Sequence, residues 1–163
     1  MKTIAIVMGV SGSGKTTVAV MLADALGVAF LEGDELHPRS NVEKMRSGTP
    51  LTDEDRWPWL DAIHDALERD VADHVSAVVA CSALREAYRQ RLERGLADVG
   101  LVLLDGDPAI LASRLSHRTD HFMNPALLQS QIDTLERPSH AVIVDISKPV
   151  GVQVSLIREA FGI

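Results

Sequence analysis

The chain has 163 residues, of which 46% are hydrophobic and 24% charged, and its formal net charge is −7 at pH 7. This length suits one domain with a sizeable core, and the composition is ordinary for a soluble globular protein. Because nucleic acids and anionic membranes attract basic surfaces, the acidic balance argues against both as main partners. Cys81 is the only cysteine, so no internal disulfide can form and we expect a reducing, cytoplasmic setting.

The first apolar run lacks the flanking pattern of a signal peptide, and we find no apolar stretch near the roughly 20 residues that span a bilayer. Apolar runs instead alternate with helical periodicities along the chain. The short runs predict five strands, at residues 3–8, 28–31, 76–80, 100–104 and 141–145. Their nearly continuous apolarity is typical of a parallel sheet that is covered on both faces.

Helical patterns fill the intervals between these strands. They predict helices at residues 15–26, 40–47, 57–73, 83–95, 108–118, 125–136 and 149–161. Asp107-Pro108 and Asn124-Pro125 each combine a helix cap with a proline at the first helical position. We therefore predict one α/β domain over residues 1–163, a five-stranded parallel sheet with helices on both faces. Its ligand sites should lie at the carboxyl ends of the strands.

The segment from Gly9 to Thr16 fits the pattern G-x-x-x-x-G-K-[ST], between the first predicted strand and the first predicted helix. This is the context that a phosphate-binding loop requires. Backbone N–H groups of such a loop point at phosphate oxygens, while Lys15 and the helix N-terminus add positive charge. Thr16 offers a hydroxyl to Mg²⁺. We predict that the loop, residues 9–17, binds a nucleoside triphosphate through Gly9, Ser11, Gly12, Ser13, Gly14, Lys15, Thr16 and Thr17.

An acidic cluster follows the short predicted strand that ends at Leu31. Glu32 and Asp34 are two residues apart, so one carboxylate can face a metal ion and the other a substrate hydroxyl. A cluster of this kind is often only a solvated loop. Beside a phosphate loop in so small a chain, we favour the interpretation as a site for phosphoryl transfer.

A third element is the stretch at about residues 114–128, which we predict to be a helical lid. Arg114 and Arg118 are four residues apart and share a helix face. Arginines on a mobile segment can close over phosphates, stabilise the transferred charge and exclude water. We predict that Arg114 contacts the nucleotide and that Arg118 is catalytic. The alternative is a solvated helix end, where cations are favoured by the helix dipole.

With these elements in place, the chain closely resembles the gluconate kinases (gluconokinases), small P-loop kinases related to shikimate kinase and the nucleoside monophosphate kinases. The phosphate loop is common to many families, whereas the segments at 33–60 and 121–138 are diagnostic of this one. The resemblance is carried by GVSGSGKTTV at 9–18, GDELHPRSNVEKMRSGTPLTDEDRWPWL at 33–60, ACSALREAYR at 80–89 and HFMNPALLQSQIDTLERP at 121–138. It implies a P-loop NTPase fold, a homodimer and ATP-dependent phosphorylation of D-gluconate on its terminal hydroxyl, giving 6-phospho-D-gluconate.

The implied acceptor is a small polyol carboxylate, so its pocket needs a cationic clamp and several hydrogen-bonding groups. Within an acceptor-binding region at residues 32–60, we assign Arg56 and Lys44 to the carboxylate or hydroxyls, with Arg137 as a further candidate. His37 and Ser82 are expected to line the pocket. For His37 the alternative is a structural cap beside the following proline.

Three further roles follow from the resemblance. Asp34 would orient the attacking hydroxyl, and Glu32 would help Thr16 to hold Mg²⁺. Pro149 follows the last predicted strand, where relatives hold the adenine ring. Two other functions stay open from the sequence: a small P-loop kinase for another acceptor, such as shikimate or a different sugar acid, and a nucleotide-dependent switch. A switch would need neither Asp34 nor a cationic acceptor pocket.

Overall fold

The computed structural model describes residues 4–73, 76–117 and 127–163. Each strand in these ranges is followed by one or two α-helices, as the sequence predicts, and a 3-10 turn at Gly33–Leu36 follows the second strand. The elements are β1 Ile4–Met8, α1 Lys15–Leu26, β2 Ala29–Glu32, α2 Arg39–Arg46, α3 Asp53–Ala72, β3 Ala77–Ala80, α4 Glu86–Glu93, β4 Val99–Asp105, α5 Pro108–Ser116, α6 Leu128–Thr134, β5 Ala141–Asp145 and α7 Val150–Phe161.

The five strands form one parallel sheet in the order β2-β3-β1-β4-β5. The central strand β1 is buried along its whole length, whereas the edge strands β2 and β5 are partly exposed. Val7 of β1 is in register with Ala80 of β3, which in turn is in register with Glu32 of β2. Three strands therefore end at the same level, and the loops that follow them meet at one edge of the sheet.

Helices cover both faces of the sheet, as predicted. Because successive strand side chains point to opposite faces, Ala5 and Val7 join one core and Ile4, Ile6 and Met8 the other. The first core includes side chains from α1, α5, α6 and α7, and the second includes side chains from α3 and α4. Each fully buried leucine or isoleucine contributes about 1.5–3 kcal/mol to folding. Among the described helices, none is long and apolar enough to cross a membrane.

Most predicted boundaries agree with the structure to within a few residues, but two helices begin at other described residues, and the predicted start of α6 at residue 125 lies outside the described ranges. Helix α3 begins at Asp53, whereas the apolar pattern predicted a start at residue 57; the Thr52 side chain accepts from the Asp55 backbone and so caps the earlier turn. Helix α4 begins at Glu86 instead of residue 83, because Ala83 has a φ of 44° and cannot belong to a right-handed helix.

The predicted cap at Asp107 is confirmed, since its Oδ1 accepts from the backbone N–H of Ala109 at 2.7 Å. The similar signal at Asn124-Pro125 lies outside the described residues, as does most of the predicted lid.

The capping box of α3 gives a test of local stability. Thr52→Ala removes the acceptor for the Asp55 N–H, and we expect a loss of about 1 kcal/mol in the free energy of unfolding. Thr49→Ala is the matched control, because the Thr49 hydroxyl is exposed and bonds only the Ser47 hydroxyl among the described contacts. The control should change stability by less than about 0.5 kcal/mol in urea unfolding. Equal losses in the two variants would contradict the capping role.

Candidate active site

The carboxyl ends of β1 and β3 are tied together by backbone hydrogen bonds. The N–H of Cys81 donates to the carbonyl of Val7 at 3.1 Å, and the N–H of Gly9 donates to the carbonyl of Ser82 at 3.3 Å. The loop after β1 therefore begins against the loop after β3. Glu32 ends the neighbouring strand on the far side of β3, which places its carboxylate close to both loops.

The phosphate loop has the tight curvature that its sequence predicts. Gly12 and Gly14 take φ values of 84° and 90°, which glycine adopts without strain. A Cβ atom at position 12 would also lie 3.0 Å from the carbonyl oxygen of Leu111, because α5 packs closely against the loop. The Lys15 Nζ donates to the carbonyl of Val10 at 3.0 Å, so the lysine folds back over the loop at the start of α1.

A hydroxyl and a carboxylate suited to a hard cation lie next to this loop. The Thr16 Oγ1 donates to Glu32 Oε2 at 2.5 Å, and Glu32 Oε1 accepts from the backbone N–H of Asp34 at 3.3 Å. Burial raises the pKa of Glu32 above its usual value, and the negative charge of Asp34 raises it further. A cation would relieve this crowding of negative charge. Oxygen donors of these types fit Mg²⁺, which prefers carboxylates, hydroxyls and water.

A cleft opens between the phosphate loop and the elements that follow β2; we call it the inner cleft. It brings together most of the residues predicted for the transfer reaction, together with residues of α6. Its lining includes the predicted residues Ser11, Gly12, Gly14, Lys15, Thr16, Asp34, His37, Arg56 and Ser82, and the further residues Met45, Pro50, Leu51, Trp59, Leu84, Leu127, Ser130 and Gln131.

Arg56 is the cation that the structure holds in the inner cleft opposite the loop. Its Nη1 donates to the carbonyl of Leu51 at 2.7 Å and to the hydroxyl of Tyr88 at 3.0 Å, and its side chain is 15% exposed. The guanidinium also lies over the Tyr88 ring, 5.2 Å from the centroid. The Tyr88 hydroxyl in turn donates to Asp53. These contacts fix the direction of the guanidinium before any ligand binds.

The His37 ring is also held in position by contacts within the protein. Its ring stacks on Trp59 at 4.0 Å between centroids, and its Nδ1 lies 3.2 Å from the Nδ2 of Asn41. Because the Asn41 amide can only donate from this nitrogen, Nδ1 is the acceptor and Nε2 carries the ring proton. The Trp59 indole N–H bonds the carbonyl of Gly33 at 2.8 Å, which attaches the stack to the acidic turn.

Two of the predicted acceptor-binding cations lie outside the lining of the inner cleft. The Lys44 Nζ bonds Asp55 Oδ2 at 2.7 Å, and this contact is the main cause that lowers the pKa of Asp55 to about 2. Arg137 forms two hydrogen bonds with Asp105, at 2.9 and 3.1 Å, and is 57% exposed. Both cations are thus paired with carboxylates of the protein itself.

A second cleft, which we call the outer cleft, lies on the other side of the phosphate loop. The Arg114 side chain is fixed there by a bond of its Nη2 to the carbonyl of Ile146 at 2.8 Å. Pro149 is exposed and lies between two lining residues, whereas Arg118 is outside the described residues. The lining comprises Gly12, Ser13, Gly14, Thr17, Val18, Ser113, Arg114, His117, Lys148, Val150 and Gln153.

The inner cleft also contains residues to which the sequence predicted no site role. Trp59 is 2% exposed and belongs to the core beside α3, and its ring also supports that of His37. Gln131 lies 120 residues from its partner Ser11. A contact at that separation has no signal in local sequence, although Gln131 belongs to one of the diagnostic segments.

The environment of His37 predicts a pH dependence of stability. Burial, with a smaller effect of the Arg56 charge, lowers the pKa of His37 from 6.5 to about 4. As the pH falls through this interval, the unfolded chain takes up a proton that the folded protein does not, so this part of the stability is present above about pH 6.5 and is lost toward pH 4. His37→Gln should therefore lose less stability than the wild type between pH 6.5 and 4 in urea unfolding.

The carboxylates that titrate in the same interval are common to both proteins, so the difference isolates His37. An NMR titration of the ring should show a midpoint near pH 4. A midpoint close to 6.5 would contradict the buried, neutral ring.

Comparison with known proteins agrees with this geometry. A sequence-family model described as an AAA domain matches residues 4–138. The chain is 43% identical to the thermoresistant gluconokinase of Escherichia coli, over 94% of this chain and 90% of that protein. It is 52% identical to a gluconokinase of Gluconobacter oxydans, over 82% and 75% of the two chains.

The fold is also similar to those of solved kinase structures. A gluconokinase from Sinorhizobium meliloti superposes with a TM-score of 0.85 at 44% identity, covering 99% of this chain and 95% of that one. A shikimate kinase from Bacteroides thetaiotaomicron shares the fold alone, with a TM-score of 0.72 at 18% identity and full coverage of both chains. The phosphate loop, the two clefts and these similarities together show that the chain belongs to the gluconokinase family of P-loop kinases.

Proposed function

We propose that this protein transfers the γ-phosphoryl group of ATP to the terminal hydroxyl of D-gluconate, giving ADP and 6-phospho-D-gluconate. The observation that carries the proposal is the inner cleft, where a phosphate loop faces a carboxylate, a neutral histidine and an oriented arginine. The curated relatives at 43% and 52% identity are gluconokinases, which supports this choice of acceptor. A nucleotide-dependent switch would not need the acceptor side of this cleft.

In this reaction the triphosphate would bind at the phosphate loop. Backbone N–H groups at residues 9–17 that do not already donate to protein oxygens, as those of Gly9 and Ser11 do, would bind the phosphates, with Lys15 adding positive charge to the reacting end. Thr16 and Glu32 would hold Mg²⁺, which neutralises charge on the β- and γ-phosphates when it is bound. Arg114, Thr17 and Ser13 lie along the outer cleft, so the nucleoside would extend in that direction toward Pro149. The proposed role of Arg118 in a lid at 114–128 concerns mostly residues beyond the described ranges.

The side chains that face the acceptor in the inner cleft would each have a different role. In the transfer step, the acceptor oxygen forms a bond to the γ-phosphorus while the bond to the bridging oxygen of ADP breaks. Asp34 would orient the hydroxyl and take its proton, since it lines the cleft beside the loop. Arg56 would grip the gluconate carboxylate, and His37 and Ser82 would bond its hydroxyls. Of the three predicted cations, Arg56 is best supported, because Lys44 and Arg137 are already paired with Asp55 and Asp105.

We also propose that the enzyme works as a cytoplasmic homodimer. The family resemblance supports the dimer. The single cysteine, which is fully buried, is compatible with a reducing compartment. We propose a single kinase domain over residues 1–163, with residues 32–60 as its acceptor-binding region.

A coupled ADP-release assay with Mg-ATP tests the proposed reaction against D-gluconate, shikimate, related sugar acids and water alone. We expect turnover that depends on gluconate, with 6-phosphogluconate formed in equal amount to ADP. Asp34→Asn, purified in the same way, serves as the control for a contaminating kinase that phosphorylates gluconate. Turnover with shikimate or another sugar acid would show that the proposed acceptor is wrong and that the proposed kinase reaction is right. Nucleotide binding without any acceptor-dependent turnover would favour the switch.

Arg56→Lys tests the acceptor clamp. Lysine keeps the charge but lacks the planar guanidinium that can bind a carboxylate through two N–H groups, and it loses the bonds to Leu51 and Tyr88. We therefore expect the KM for gluconate to rise about tenfold or more. The KM for ATP should stay within about threefold. Arg85→Lys is the matched control, because Arg85 also approaches Asp53, at 3.7 Å, but does not line the cleft. A parallel rise of both KM values, or an equal effect of Arg85→Lys, would contradict the assignment.

A further inference from the structure

A contact between α6 and the phosphate loop has no role in the reaction as described so far. The Oε1 of Gln131 accepts a hydrogen bond from the backbone N–H of Ser11 at 2.7 Å. Ser11 is 4% exposed, and its own hydroxyl has no hydrogen-bond partner within the described part of the chain. Gln131 therefore holds the backbone of Ser11, while the buried Ser11 hydroxyl bonds no other described group of the protein.

The position of this contact identifies which end of the triphosphate it faces. Ser11 and Gln131 line the inner cleft together with Asp34, whereas Ser13 and Thr17 line the outer cleft. The phosphoryl group that is transferred must lie between the donor and the acceptor. The part of the loop that lines the inner cleft therefore faces the γ-phosphate, and the Gln131 contact lies at this reacting end.

The end of α6 is anchored independently of the loop. The backbone N–H of Glu136, just after the helix, donates to the carbonyl of Leu84 at 2.7 Å. Arg89, which is 1% exposed, donates to the carbonyl of Ala83 at 2.7 Å and to that of Glu136 at 2.8 Å. Charge-assisted bonds from a buried guanidinium are strong. They join the end of α6 to the loop after β3, so the Gln131 side chain extends from a fixed base.

The type of residue at position 131 also carries information. A glutamine accepts the Ser11 N–H bond through a neutral oxygen. A glutamate could accept the same bond but would add a negative charge beside the bound triphosphate, where like charges repel. The neutral amide thus satisfies the loop N–H without opposing the ligand.

We propose that Gln131 is a positioning residue for phosphoryl transfer. It holds the Ser11 backbone so that the end of the loop that faces the γ-phosphate stays aligned with the acceptor hydroxyl in the inner cleft. This inference depends on the proposed kinase function. Alignment of this kind affects the transition state more than the binding of either substrate, because small displacements of reacting groups lower the rate steeply.

The test compares Gln131→Leu and Gln131→Glu with the wild type. For Gln131→Leu we expect kcat to fall about tenfold or more, while the KM for gluconate and the Kd for Mg-ADP stay within about threefold. For Gln131→Glu we expect calorimetry to show a loss of affinity for a non-hydrolysable Mg-ATP analogue at least about fivefold larger than the loss for Mg-ADP, because the added carboxylate faces the γ-phosphate.

Gln129 supplies matched controls on the same helix, since it is exposed and its amide bonds Asp133 at 2.8 Å. Gln129→Leu and Gln129→Glu should leave kcat and both affinities within about twofold of the wild type. A kcat for Gln131→Leu within twofold of that of Gln129→Leu would overturn the proposal, as would equal losses of kcat and Mg-ADP affinity with a lowered Tm.

The two proposals fail in different ways. If the wild type does not phosphorylate gluconate, the proposed function fails for that acceptor. The binding comparison for Gln131→Glu still reports on the contact at the γ-phosphate end, and equal losses of affinity for the two nucleotides would overturn the role of Gln131 alone.

Discussion

The site depends on the parallel register of β1, β2 and β3. Val7, Ala80 and Glu32 lie in one row across the sheet, so the three strands end together. In a parallel sheet the segments that leave these ends emerge at one edge, where a ligand can contact all of them. The hydrogen bond from Gly9 to Ser82 then joins the phosphate loop to the loop after β3. A slip of one residue in this register would separate the loop from the acidic turn and turn the strand side chains to the wrong faces.

The second constraint is the pairing of charges around the clefts. Arg56 is held mainly by neutral oxygens, the Leu51 carbonyl and the Tyr88 hydroxyl, with the Asp53 carboxylate 3.9 Å away. Its positive charge therefore faces a cleft in which an anion can bind. Lys44 and Arg137 instead make direct hydrogen bonds to carboxylates. The three side chains carry the same charge, but only the charge of Arg56 is left without a directly hydrogen-bonded carboxylate among the described contacts and can attract an anionic ligand.

Local chemistry explains which elements could be predicted. The cap at Asp107 followed by Pro108 depends on adjacent residues, and the structure places α5 there. The start of α3 was predicted four residues late, because the apolar periodicity begins at Trp57 while Thr52 and Asp55 cap an earlier polar turn. Ala83 takes a left-handed backbone that no residue preference at that position predicts. Its conformation accompanies the bonds that Arg89 makes to the carbonyls of Ala83 and Glu136.

The amino-acid sequence by itself determined the alternating α/β fold, the phosphate loop and the acidic turn at Glu32 and Asp34, because each depends on residues close together in the chain. Its diagnostic segments also identified the family. Only the tertiary structure decided which distant residues share the inner cleft. It brought His37 and Trp59 into a stack, paired Lys44 with Asp55, and placed Gln131 on the backbone of Ser11. These contacts join residues as much as 120 positions apart, and they form only when the packing of helices on the sheet fixes their distances.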